Sequence, residues 1–304
     1  MPRPISADAR ARLGSVRGIM FDIDGCLVIS NGPGGDDGHP LPGAVEALAH
    51  ARASGRSVCV FTNGTATPPA AIAAHLRSLG LDVYDGEVLT PAVVAADFIA
   101  RTYGDQQILV FGGDGMLVEF GKRDVNLVDV SRALAGEPIA PAAVVVGWDT
   151  EFGRSKLQLA AGAILGGARL YCTSDAPMFA SRSELNVGVS GFITAGLQYV
   201  TGAEYEVLGK PSGHAMATIA RTLRVAPEHV LVIGDDIRLE ARMARAGGAL
   251  GALVLTGTTT EADLASAPEA SMPDFVVDAL GDLVAHLVSA DEGADQVGDV
   301  VAVE

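Results

Sequence analysis

Four short polar clusters in this chain carry the residue types that phosphate chemistry uses. The first is Asp22-Ile23-Asp24-Gly25. In an extended chain, residues two apart point the same way, so both carboxylates can face one site. Gly25 permits a sharp turn beside them. Two carboxylates held close repel, so a cation neutralises them or one keeps its proton. A nucleophilic carboxylate beside an acid/base needs that division of labour. An acidic turn closing a strand would read the same way, so this cluster decides nothing by itself.

The second cluster, Thr62-Asn63-Gly64, joins a hydroxyl to backbone N–H groups in a tight turn. Such a turn makes a small anion cradle, and the same letters also write a helix cap. In Gly209-Lys210-Pro211-Ser212, Lys210 follows a short apolar segment and precedes a helical pattern. An ammonium there can meet a phosphate as a point charge, although a surface lysine would look no different. The fourth cluster is Gly234-Asp235-Asp236, with Glu240 one helical turn further on. Mg²⁺ accepts a few carboxylates of this kind while keeping some waters, and an acidic turn is the plain alternative. The combination is the stronger signal. A nucleophile, an anion cradle, a cation and metal ligands occur in one chain order.

The elements that must position these groups are short, continuously apolar runs. Gly18–Phe21 ends at Asp22, Ser57–Phe61 at Thr62, and Val230–Ile233 at Gly234-Asp235; Ala252–Leu255 and Phe275–Val277 follow. Runs this short and this apolar read as strands buried on both faces. Helical patterns lie between them over Ala44–Ser54, Pro69–Leu79, Gly213–Leu223 and Arg238–Ala246. The alternation predicts an α/β domain with a parallel sheet. Ligands of such sheets bind beyond the carboxyl ends of the strands, where the polar clusters fall. A second alternation, Gln107–Phe111, Ala143–Val146 and Ala168–Tyr171 with a helix over Lys156–Leu165, predicts an inserted α/β unit. Its edges fall near Tyr103 and Glu204. The core is then residues 1–102 and 205–304, and the insert is residues 103–204.

Composition bounds the rest. The 304 residues are 49% apolar and 19% charged, enough for two packed units. A net charge of −16 argues against a nucleic-acid backbone as partner, which needs clustered Lys and Arg. No apolar stretch is long enough to span a membrane, and no secretory signal pattern opens the chain. Cys26, Cys59 and Cys172 make neither a disulfide framework nor a zinc site. A cytoplasmic location is expected.

Taken in order, the clusters resemble those of the haloacid dehalogenase (HAD) superfamily of aspartyl phosphatases, in its NagD-like class IIA. Val146-Gly147-Trp148-Asp149, Leu208-Gly209-Lys210-Pro211 and Leu253-Val254-Leu255-Thr256-Gly257 extend the likeness, which covers Gly18 to Gly257. The resemblance implies a Rossmann-like core with an inserted α/β cap, and a Mg²⁺-dependent phosphatase acting on a small phosphorylated metabolite. Asp22 would be the nucleophile that forms an aspartyl phosphate, and Asp24 the acid/base. Thr62, Asn63 and Lys210 would bind the phosphoryl group. Asp22, the backbone carbonyl of Asp24, and Asp235 would bind the metal. Relatives often dimerise through the cap.

There are departures. The family's Thr-Asp pair is Leu239-Glu240 here, leaving Glu240 or Asp236 to complete the metal site. The cap's Asn-Pro-Asp signature is reduced to Asp175 within Cys172–Pro177, a candidate substrate contact. The Gly- and Asp-rich stretch 31–38 is expected to be a loop, Gly112–Gly115 a turn, His39 and His214 solvent-facing, Cys26 a space-filling residue, and the chain from Ala290 a frayed tail. Two other readings share the fold: a non-catalytic phosphate-ligand binding protein, and a phosphotransferase.

Overall fold

A computed structural model describes residues 2–30, 38–178 and 187–301. The strands, in chain order, are β1 (Gly18–Asp22), β2 (Val28–Ile29), β3 (His39–Pro40), β4 (Ser57–Phe61), β5 (Val88–Leu89), β6 (Ile108–Phe111), β7 (Ala143–Val146), β8 (Arg169–Cys172), β9 (Tyr205–Val207), β10 (Val230–Gly234), β11 (Leu250–Val254) and β12 (Phe275–Val277). They form two parallel sheets, ordered β12-β11-β10-β1-β4-β5 and β6-β7-β8-β9, and one short antiparallel pair, β2-β3.

The unbroken apolar character of β1 follows from its place at the centre of the larger sheet. Ile19 and Phe21 pack on one face with Leu13, Leu48 and Leu287, while Met20 joins Phe61, Met216 and Ile219 on the other. Both faces are covered, so no position is left for a polar residue until the strand ends. From β1 the chain runs outward to β4 and β5, then returns through the insert to β10 and continues away to β12. Winding therefore reverses at β1, which makes its carboxyl end the switch point where such sheets bind ligands.

The smaller sheet lies within Ile108–Val207, with Leu109, Phe111, Val144 and Val146 packing beneath Ile193 and Leu197 on one face. Its other face, through Ile108, Val110, Val145 and Tyr171, shares a buried cluster with Ala95, Ile99 and Ile219 of the first unit. The helices Pro91–Tyr103 and Gly213–Leu223 are thus packed against both sheets.

Several expectations are corrected. Gly112–Gly115 is not a turn: Asp114 opens a helix running to Gly121, and Gly113 caps it. Position 115 in that helix requires glycine, because a Cβ there would come within 2.4 Å of the Thr65 carbonyl. The tail does not fray at Ala290, because the last helix continues from Leu280 to Val301. Arg56 holds it there through both carboxylate oxygens of Asp291, at 2.5 and 3.0 Å. The segment expected over Arg238–Ala246 begins as a π-helical turn, Ile237–Ala241, before an α-helix over Arg242–Gly247. His39 is exposed and Cys26 is buried. His214 is half-buried, its ring 4.5 Å from that of Phe98 and its Nε2 2.6 Å from Glu206 Oε1. Of the stretch 31–38, only Gly38 lies within the described residues.

Candidate active site

The register of the larger sheet aligns the strand ends that carry the polar clusters. Asp22 sits beside Phe61 across the β1–β4 pair, and Phe21 sits beside Ile233 across β1–β10. Asp22 ends β1 as a buried carboxylate. The chain then turns back on itself through bonds from Gly25 N to Val28 O (2.8 Å) and Leu27 N to Ile23 O (3.0 Å). Gly25 has φ +86°, and a Cβ there would lie 2.6 Å from Asp235 Oδ2. The turn thus needs glycine for its backbone and for the close approach of Asp235.

Thr62 follows β4 and donates its hydroxyl to Asp24 Oδ2 at 2.9 Å, while accepting from Gly64 N at 3.1 Å. Asn63 clasps the backbone of Lys210 twice: its Nδ2 donates to Lys210 O at 3.1 Å and its Oδ1 accepts from Lys210 N at 3.0 Å. That clasp carries Lys210 into the base of the site, where it is 1% exposed. Its ammonium donates to Asp22 Oδ1 and to Phe61 O (2.9 Å), and lies 2.7 Å from Glu240 Oε1.

Asp235 and Asp236 follow β10 but face different neighbours. Asp235 Oδ2 accepts from Thr258 N at 2.6 Å and from its hydroxyl at 2.9 Å. Asp236 instead binds Arg238, through the guanidinium at 2.7 and 3.0 Å and the backbone N–H at 2.8 Å. Glu240, 1% exposed, divides its oxygens between Lys210 and the Asp236 N–H (3.2 Å). Both residues considered for completing a metal site therefore have protein partners. Asp175 lies apart, exposed after β8, with the Tyr205 hydroxyl 3.5 Å from its Oδ2.

The electrostatics follow from three buried carboxylates, two of which, Asp22 and Glu240, are paired with one ammonium. Burial pushes Asp22 up to about 7, with Lys210 opposing the shift and Asp235 and Asp24 adding to it. Burial also raises Asp235 to about 7, helped by Glu240. Glu240 is raised by burial to about 7 against the pull of Lys210. Burial alone would lower Lys210, but Asp22 and Glu240 outweigh it and keep the ammonium charged. A single cation does not balance this set, and hard carboxylate oxygens are the donors a divalent cation of the Mg²⁺ type takes. Among the described residues no three His, Cys, Asp or Glu side chains are gathered as a ready cage.

The site also uses residues that the four clusters do not include. Thr256 and Thr258 follow β11 and hold Gly25 and Asp235. Trp148 N donates to Thr65 Oγ1 at 3.0 Å, which ties the second sheet's loop to the one that follows Thr62. A threonine run just after a strand end repeats the signature of the Thr62 cluster and was the available clue. Nothing in the sequence pairs Thr65 with Trp148.

Residues 19–126 match a family model described as haloacid dehalogenase-like hydrolase, and residues 207–283 match a second, HAD-hydrolase-like one. The mouse haloacid dehalogenase-like hydrolase domain-containing protein 2 is 30% identical, over 82% of this chain and 88% of its own. The chain is a haloacid dehalogenase-like hydrolase. Within that family it is NagD-like: the ribonucleotide monophosphatase NagD of Escherichia coli is 26% identical, covering 84% of this chain and 93% of its own. The glycerol phosphate phosphatase of Mycobacterium tuberculosis, solved in complex with magnesium, superposes with TM-score 0.76 at 26% identity, covering 89% of this chain and 77% of that one. A HAD-type core sheet and an inserted α/β unit are therefore the fold of this hydrolase.

Proposed function

We propose that this HAD hydrolase is a Mg²⁺-dependent phosphatase that cleaves a small phosphomonoester through an aspartyl phosphate on Asp22. The observation that carries the reading is the buried Asp22–Lys210–Glu240 array at the switch point of the sheet, with Asp235 and the Asp24–Thr62 pair beside it. An Asp22 oxygen attacks phosphorus while the bond to the leaving oxygen breaks. Asp24, held by the Thr62 hydroxyl, gives that oxygen its proton. A water then attacks the acyl phosphate and Asp24 takes its proton, releasing phosphate and restoring Asp22. Lys210 holds Asp22 in line and offsets negative charge, and Thr62 and the Asn63 N–H receive the phosphoryl oxygens. Asp22, the carbonyl of Asp24, and Asp235 would hold Mg²⁺, which supplies charge neutralisation on the transferring group.

Residues 103–204 act as the cap in this reading, and Asp175 is its candidate substrate contact. NagD and the mycobacterial enzyme are named for ribonucleotide monophosphates and glycerol phosphate. Those names, with a cap close above the site, favour a small phosphorylated metabolite. The test is release of phosphate from 4-nitrophenyl phosphate with Mg²⁺. Asp22→Asn abolishes it, and Asp24→Asn slows it by about 10²–10⁴ while leaving metal binding intact. Release from the wild type no faster than from Asp22→Asn, over a panel of phosphorylated metabolites, would make the chain a binding protein. Faster transfer to added alcohols than to water would make it a phosphotransferase.

Pairing through the cap is a second proposal, supported by one surface. The helix Val189–Thr201 carries no charge in a chain of net charge −16, yet Phe192 and Tyr199 on it are 80% and 91% exposed. A second copy of the same uncharged face is the occupant such a stripe fits. Sedimentation should give a dimer that Tyr199→Glu converts to monomer; a monomeric wild type would contradict it.

A further inference from the structure

The loop after β11, Thr256-Gly257-Thr258-Thr259, touches both of the turns that carry the acidic residues. Thr256 donates its hydroxyl to Gly25 O at 2.7 Å, one residue beyond Asp24. Thr258 gives both its N–H and its hydroxyl to Asp235 Oδ2, at 2.6 and 2.9 Å. Thr259 N donates to Asp235 O at 3.1 Å, and Thr259 Oγ1 accepts from Ile237 N at 3.2 Å. The glycine between them is required by contact. A Cβ on Gly257 would sit 2.0 Å from Asp235 Oδ2, and one on Gly25 would sit 2.6 Å from the same atom. Oδ2 is therefore enclosed between two glycines and saturated by two donors. Oδ1 accepts no hydrogen bond from the described residues and is left at the open side of a residue that is 4% exposed.

A buried carboxylate with one oxygen fully bonded and the other bare is oriented for a further ligand. Its rotation is fixed at Oδ2, so Oδ1 is presented in one direction. The bond from Thr256 fixes the Gly25 peptide relative to the same loop, and with it the span between the Asp22–Asp24 turn and Asp235. We infer that Thr258, seconded by Thr256, is a positioning residue for the divalent cation, setting Asp235 Oδ1 toward the ion without touching it. The inference rests on the reading of Asp22 and Asp235 as metal ligands. Groups that orient a ligand in this way typically govern affinity by 10- to 100-fold.

The experiment is isothermal titration of substrate-free protein with MgCl₂. Thr258→Val keeps the N–H and the side-chain shape but removes the hydroxyl, and it should weaken Mg²⁺ binding by about 10- to 100-fold. Thr258→Ser, which restores the hydroxyl, should return binding close to the wild-type value. Phosphatase activity lost by Thr258→Val at low Mg²⁺ should recover as MgCl₂ is raised, which a general loss of structure would not allow. If the valine variant lacks a cooperative melt, Thr258→Ala takes its place in the same titration. A folded variant without the hydroxyl that binds Mg²⁺ as tightly as the wild type overturns the inference. A wild type that takes up no Mg²⁺ overturns the metal reading itself, and the two failures are read from different proteins.

Discussion

At the scale of single residues, the site is a problem of unbalanced charge. Asp22, Asp235 and Glu240 are all raised to about 7 by burial and by one another, while Lys210 supplies one positive charge among them. Their pKa values in an unfolded chain are about 4. Between those limits the metal-free fold holds protons that the unfolded chain has released, so its stability falls as pH rises from about 4 to about 7. A divalent cation removes the cause. Metal-stripped protein should therefore melt several degrees lower at pH 8 than at pH 5.5, and Mg²⁺ should raise the melting temperature more at pH 8. Differential scanning fluorimetry with and without MgCl₂ checks this, and an equal or larger gain at pH 5.5 would contradict it. Asp22, Asp24, Thr62, Lys210 and Asp235 were legible in the sequence because each interrupts or follows an apolar run. The partner of Glu240 was not legible. Its direction depends on the π-helical turn at Ile237–Ala241, which no side-chain pattern announces.

At the scale of elements, continuous burial made the strands readable and brevity hid others. β1, β4 and β10 are five-residue strands with both faces covered, so their composition declares them. β5 is two residues long and too short for any period to show. The last helix illustrates a different limit. Acidic residues after Ala290 suggested a tail, but a buried arginine from another part of the chain decides where the helix is anchored. Arg56 is 7% exposed and spends its guanidinium on Asp291, Ser54 and the Val16 carbonyl. Asp291→Ala leaves that buried charge without its counter-ion. Because Asp291 itself is partly solvated, the loss should be about 1–3 kcal/mol rather than that of a fully buried pair. Urea denaturation should show it as a lower midpoint at unchanged slope. An unchanged midpoint would mean that the helix is held by its apolar face alone.

At the scale of the whole molecule, the two units were legible as separate alternations of strand and helix, but their union was not. The sequence marks an inserted α/β unit with edges near Tyr103 and Glu204 but not how it packs on the first. Met116, Phe120, Val110, Val145 and Tyr171 of the second unit share one buried cluster with Met20, Phe61, Met216 and Ile219 of the first. Polar bonds cross the same boundary, from Gly115 N to Ala66 O at 3.1 Å and from Trp148 N to Thr65 Oγ1 at 3.0 Å. Unfolding either unit alone would expose that shared apolar surface, at about 25 cal/mol for each Å². The two units should therefore unfold together. The chain provides its own reporter, since Trp148 is its only tryptophan and lies on this boundary. Far-UV circular dichroism follows helices of both units, and tryptophan fluorescence follows the seam. Their urea transitions should coincide, as two-state behaviour requires. A fluorescence change that precedes the loss of helix would show the seam opening first, and the second unit would then be a lid held by the polar bonds rather than by the shared core.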